Sequence, residues 1–196
     1  MAASWDPQKN ITNALLHCTS RAHYESIARL KRCLTQSAPL FIHPMLLPTI
    51  IMDLETTLTL QDDEYWTTAI TDIENETKQT PHNAESVDPL ELDLPSIVQR
   101  LNGCSVFLSL IERESEAVLV HLDQSRRAIT ELQSQYPRLT ESSRTLIRHV
   151  DFLINSRKSL FLRLQNLQRR SQTQLAFVCS LFGRVLVRCD TNYSSV

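Results

Sequence analysis

The stretch LTESSRTLIRHVDFLINSRKSLFLRLQNLQRRSQTQLAFVCSLFGRVLVRCD, Leu139–Asp190, decides how the rest of the chain is read. It holds no proline and one glycine, Gly183, so nothing in it breaks a helix. Alternate steps of four and three from Leu146 reach Val150, Leu153, Arg157, Leu160, Leu164, Leu167, Ser171, Gln174, Val178, Leu181, Val185 and Arg188. Most of these are apolar, and a 3.5-residue repeat keeps one stripe turned toward partner helices along the whole length. At about 1.5 Å per residue such a helix spans on the order of 75 Å. Arg157, Ser171 and Gln174 interrupt the stripe, with Arg169 and Arg170 beside it. Polar groups at such positions fix register or oligomeric state at some cost in stability, or line a solvated space.

Working outward, Pro137 breaks the chain before this helix and Thr140 is the expected N-cap. Upstream, the same stepping gives Ile97, Leu101, Cys104, Leu108, Ile111, Ser115, Val118, Leu122, Ser125, Ile129 and Leu132, a second long helix opened by Pro95. Gly103 within it suits close approach of a neighbour. A handful of residues joins the two helices, so they pack antiparallel. Pro44 and Pro48 start a third long helix that runs to about Lys78, with Leu47, Ile51, Leu54, Leu58 and Tyr65 on one stripe and Ile70 and Ile73 near it. Tyr24 to Leu34 is a short amphipathic helix, and Asp6 with Pro7 reads as the start of another. The expected organisation is an N-terminal segment over 1–37, a proline-started acidic helix over 38–78, a linker over 79–93, a long helical hairpin over 94–190 and a tail over 191–196. The fold class is all-α: an elongated antiparallel bundle of three long helices with a short N-terminal helix.

Composition agrees. Two glycines in 196 residues leave little for sheets and tight turns, and aromatics at 6% make the core aliphatic. Residues 1–42 carry five basic and two acidic groups, 43–95 one and twelve, and 96–196 fourteen and eight. The acidic middle and basic C-terminal half either complement one another across helix flanks or leave an acidic face for divalent cations. Cys18, Cys33, Cys104, Cys179 and Cys189 lack CxxC spacing and read as small hydrophobes in a reducing compartment. The longest charge-free run, Cys33 to Met52, contains three prolines, so no membrane span and no secretory leader is expected. The short basic patch around Arg29, Lys31 and Arg32 lacks aromatic interleaving, so nucleic acid is not an expected partner.

No nucleophile with a base, no phosphate-binding glycine loop and no metal-ligand spacing is visible, which points away from an enzyme. His43 before a proline reads as a capping or packing residue, and His121 and His149 flank the hairpin seam. The candidate metal ligands are Asp62, Asp63 and Glu64, with Asp53, Glu55, Asp72, Glu74 and Glu76 on the same helix. Hard carboxylate oxygens suit Mg2+, which keeps much of its water and leaves almost no spacing signature.

The order of these pieces resembles a known family. HPMLLPTIIMDLE at 43–55, the long acidic helix, the linker, the heptad helix and RLQNLQRRSQTQLAFVCSLF at 163–182 resemble the divergent fungal type of CorA-like metal-ion transporter. The resemblance covers about residues 38 to 190. It implies a stalk over Leu160 to Val187 that continues into membrane helices, subunits assembled as a pentamer, and an acidic region sensing magnesium. The chain given stops before either membrane helix and before the family's Gly-Met-Asn loop. The expectation is therefore a soluble helical region on the cytoplasmic side of a membrane, a homo-oligomer or partner of another helical protein, not transport-competent by itself. The alternative is a cytoplasmic coiled-coil scaffold.

Overall fold

The computed structural model describes residues 2–6, 8–9, 11–15, 23–80, 83–84 and 87–193. The fold is all-α, with one short helix, α1 (His23–Gln36), and three long ones, α2 (Leu46–Glu76), α3 (Leu94–Gln135) and α4 (Thr140–Tyr193). Two small antiparallel hairpins accompany them, β1 (Ala2–Asp6) with β2 (Ile11–Leu15), and β3 (Gln79–Thr80) with β4 (Asn83–Ala84).

Punctuation follows the local chemistry, with two corrections. Asp6 does not start a helix: its Oδ1 accepts from the Gln8 and Lys9 amides at 2.9 and 3.2 Å, closing a turn between β1 and β2. Pro7 lies outside the described residues. Thr140 is not an N-cap either, because it already has helical angles (φ −54°, ψ −45°) and its hydroxyl donates to the Pro137 carbonyl at 2.6 Å. The turn Pro137–Leu139 delivers the chain into α4 directly. Elsewhere, Asp93 Oδ1 accepts from the Ser96 amide at the start of α3, and Pro48 sits in the first turn of α2, where its missing N–H is not needed. The α2 terminus turns through Lys78 at φ 53°, a left-handed position usually given to glycine and here filled in a chain that has almost none.

The chain divides into two compact units, residues 1–59 with 116–159 and residues 60–115 with 160–196. In the former, Leu46, Ile50, Leu122, Ile129, Leu146, Val150 and Leu153 form the core, and Leu30, Cys33 and Leu34 bring α1 onto it. Trp5 meets Tyr136 edge to face at 5.0 Å. In the latter, one cluster gathers Ile70, Cys104, Leu108, Ile111, Leu160, Leu164 and Leu167, and another gathers Ile73, Leu94, Ile97, Leu101, Val178 and Leu181. Each fully buried aliphatic side chain is worth roughly 1.5–3 kcal/mol against exposure, so these layers hold the helices side by side.

Within each unit α3 runs opposite to α4, while α2 and α4 run the same way. Their cross-seam partners keep a nearly constant sequence separation: 100 and 101 residues for His43 with Ser143 and Thr56 with Arg157, and 96 and 97 for Glu74 with Arg170 and Thr77 with Gln174.

The α3 and α4 stripes pack largely as expected: Ile97 to Ile129 and Leu146 to Leu181 are buried at the stepped positions, apart from a half-buried Val118, and Leu132 at the end of the α3 stripe is half-buried too. The side chains of Val185 and Arg188 lie outside the described residues. The α2 stripe is different. Leu47, Ile51 and Leu54 are only half-buried and Leu58 and Tyr65 are exposed, whereas Thr49, Thr56, Asp63, Ile70 and Thr77, seven residues apart, face the core. The reason lies in the hydroxyls. Thr49, Thr56 and Thr77 donate to the carbonyls of Met45, Met52 and Ile73 four residues back, so each enters the core as a satisfied group with a methyl outward. Gly103 admits no neighbour: a methyl placed there would meet nothing within 4 Å.

Candidate functional site

The chemistry of this chain is concentrated where α2 faces α4, in a ladder of buried polar layers between the aliphatic ones. In the unit containing residues 116–159, Arg157 is 1% exposed and its Nε donates to Thr56 Oγ1 at 3.0 Å. His43 is equally buried; its Nδ1 accepts from the Met45 amide at 3.1 Å, which leaves the proton on Nε2, facing Ser143 Oγ at 3.1 Å. His43 thus caps the start of α2 and ties it to α4. Burial lowers its pKa from 6.5 to about 4, so the ring is neutral.

In the other unit, Glu74 is 3% exposed and is gripped by Arg170, whose Nε and Nη2 reach Oε1 and Oε2 at 2.8 and 2.6 Å. Arg170 Nη2 also donates to Thr71 Oγ1 at 3.1 Å. The Glu74 hydrogen bond holds the guanidinium above its ordinary pKa. One turn on, Gln174 accepts from Thr77 Oγ1 and donates to the Gln79 carbonyl, fastening the hairpin β3–β4 to α4. Ser171 meets Ser105 of α3 at 3.2 Å. All three seam interruptions, Arg157, Ser171 and Gln174, are therefore buried hydrogen-bonded groups; opposite them Thr56 and Thr77 are buried and Ser105 is half-buried. The charge asymmetry resolves in the same way: Arg163 with Asp63, Arg170 with Glu74 and Arg100 with Glu76 join acidic α2 to basic α4 and α3.

The predicted metal ligands are not gathered. Asp62 and Glu64 are exposed, while Asp63 is fully buried with Oδ2 at 2.6 Å from Arg163 Nη2. Among the described residues no three His, Cys, Asp or Glu side chains converge on a metal position. Neither Asp63 oxygen has an aligned hydrogen bond, so the ion contact offsets burial only in part. Burial raises its pKa, Arg163 opposes and Glu64 adds to the rise. A carboxylate raised in the folded state costs stability above its folded pKa and nothing below its ordinary one. Asp63→Asn is accordingly expected to raise the melting temperature at pH 7, by about 2–4 °C per kcal/mol recovered. The gain fades as pH falls to about 4. A lower melting temperature at pH 7 would contradict this account.

His121 and His149 do not meet. His121 is exposed, and His149 lies 3.6 Å from Asp53 with its ring stacked on Phe152 at 6.4 Å. Cys33, Cys104 and Cys179 are unpaired; Cys104 is buried, with its thiol pKa raised by that burial, and Cys179 is exposed. Cys18 and Cys189 lie outside the described side chains. No family model, no curated protein and no solved structure matches this chain.

Two surface features were not read from the sequence. On α3, Val106, Phe107 and Leu110 are exposed, Phe107 stacks on Trp66 of α2 at 4.9 Å, and Tyr65 meets Trp66 edge to face. Helix α3 is also long and apolar enough to cross a membrane by length and composition, and 33% of its most apolar window is buried. Following charge-free runs passes over it, because Arg100 interrupts the segment; that arginine is held by Glu76 at 2.6 Å. Period and composition both signal the segment, since Val106 and Leu110 lie opposite the seam positions Cys104 and Leu108.

Proposed function

We propose that this chain is the soluble helical region of a divalent metal-ion transporter of the CorA-like kind, working by assembly with other helices and not transporting ions by itself. The observation that supports this reading is the parallel pairing of the acidic α2, opened by His43–Pro44, with the basic α4, layer by layer through Asp63–Arg163 and Glu74–Arg170. Within the unit of residues 60–115 and 160–196, such a pairing sets the register of α4 against its neighbour. Asp63 is committed to Arg163, so divalent-ion sensing falls to the exposed Asp62 and Glu64, which lie on different sides of α2 and each meet a hydrated ion separately.

A melting curve with and without ~5 mM Mg2+ tests the sensing. The expected result is a rise of about 2–4 °C, corresponding to roughly 1 kcal/mol, that disappears in the Asp62→Asn, Glu64→Gln double variant. A parent chain that melts identically in both buffers ends the ion-sensing reading. A scaffold that binds another helical protein then takes its place, a reading favoured by the exposed Val106, Phe107 and Leu110.

A further inference from the structure

Beside the Glu74–Arg170 pair, α4 and the hairpin strand β3 border an open cavity of about 410 Å3, within the range of small-molecule sites. We infer that it binds a small organic oxyanion, a carboxylate or phosphate ester carried on an apolar body. Arg169, Arg170, Thr173, Gln174 and Phe177 line it from one face of α4, and Glu74 from α2. Among the described residues two arginines therefore meet a single carboxylate, and that carboxylate is spent: both Glu74 oxygens are bonded to Arg170.

The donors are unevenly used. Arg170 employs Nε and Nη2 on Glu74 and Thr71 and is locked in place by them, leaving its Nη1 edge. Arg169 is exposed and, among the described residues, no acid lies within ion-pair reach of it. The Thr173 hydroxyl donates to the Arg169 carbonyl, and both ends of the Gln174 amide are engaged. What the cavity offers is guanidinium N–H groups, those of Arg170 fixed by its partners and those of Arg169 exposed, with no free carboxylate among the described residues, which suits a group that only accepts hydrogen bonds. Phe177, seven residues beyond Arg170, supplies an apolar wall for the rest of the molecule. The walls are set by buried hydrogen bonds, so binding requires little ordering of the protein.

Benzoate and phenyl phosphate, titrated separately into the full chain at low salt and followed by calorimetry, distinguish the two head groups. Saturable one-to-one binding of either is expected, weakened about tenfold or more by Arg169→Gln. Arg184→Gln, an exposed change on the same helix with the same loss of charge, leaves it unaltered. Neither substitution touches a buried group, so both variants fold. Absence of saturable binding by both probes up to ~10 mM, or equal weakening by the two substitutions, overturns the inference.

Discussion

Arg170→Ala is expected to destabilise the protein by about 3–5 kcal/mol, nearer the lower figure because the guanidinium is partly at the surface. The substitution leaves Glu74 inside the protein, 3% exposed, without the two hydrogen bonds that now hold it. Thr71 also loses its donor. Urea denaturation at pH 7 is the direct measurement, and a fall in melting temperature of roughly 10 °C should accompany it. The companion experiment separates the pair from its setting. Replacing both members together, Glu74→Met with Arg170→Met, removes the stranded charge and restores most of the loss, since a buried ion pair typically contributes little over a well-packed apolar one. If Arg170→Ala unfolds within about 1 kcal/mol of the parent, the layer is not a structural element.

Acidification gives the second large effect. His43 is neutral in the folded protein, with a pKa of about 4 set by burial, and ordinary near 6.5 once unfolded. As pH drops below 6.5 the unfolded chain takes up the proton first. This residue's contribution to stability is therefore intact at neutral pH, falls steadily toward pH 4 and is constant beyond. The gap corresponds to about 3 kcal/mol. Burial is the cause, and protonating Nδ1 would also remove the acceptor of the Met45 amide at the head of α2. Asp63 works in the opposite direction over the lower part of this range, so the comparison must be between parent and His43→Gln. The variant starts lower at pH 7, and its stability should change less between pH 7 and pH 4, by about 3 kcal/mol. Equal pH profiles for the two chains would remove His43 as the source.

The all-α fold was legible because α3 and α4 bury long aliphatic stripes at unbroken spacing, with prolines at their entrances. Helix α2 was legible as a helix but not as a surface. Its seam runs through Thr49, Thr56, Asp63, Ile70 and Thr77, all but Ile70 residues that a hydropathy pattern assigns to solvent. The threonines disappear into the core because the helix itself satisfies their hydroxyls. Glu74 and Arg170 were visible only as members of an acidic helix and a basic one. Their partnership spans 96 residues, and no local spacing carries it. Asp63 was singled out for its neighbours Asp62 and Glu64, yet successive residues on a helix point about 100° apart, which sends the middle one inward and the outer two to water. The stack of Trp66 on Phe107 likewise joins two helices and has no local signature.

The near-constant separation of the α2–α4 partners also governs how this sequence can change length. One residue inserted inside either helix turns everything beyond it by about 100° and advances it about 1.5 Å, so Asp63 or Glu74 would swing past its arginine and several aliphatic layers would face solvent together. The same insertion between Ala84 and Asp88 only lengthens a connection, at a cost of a few tenths of a kcal/mol (~0.3) in closure entropy. Homologous chains should therefore vary in length at that linker, and hold α2 and α4 to a common count.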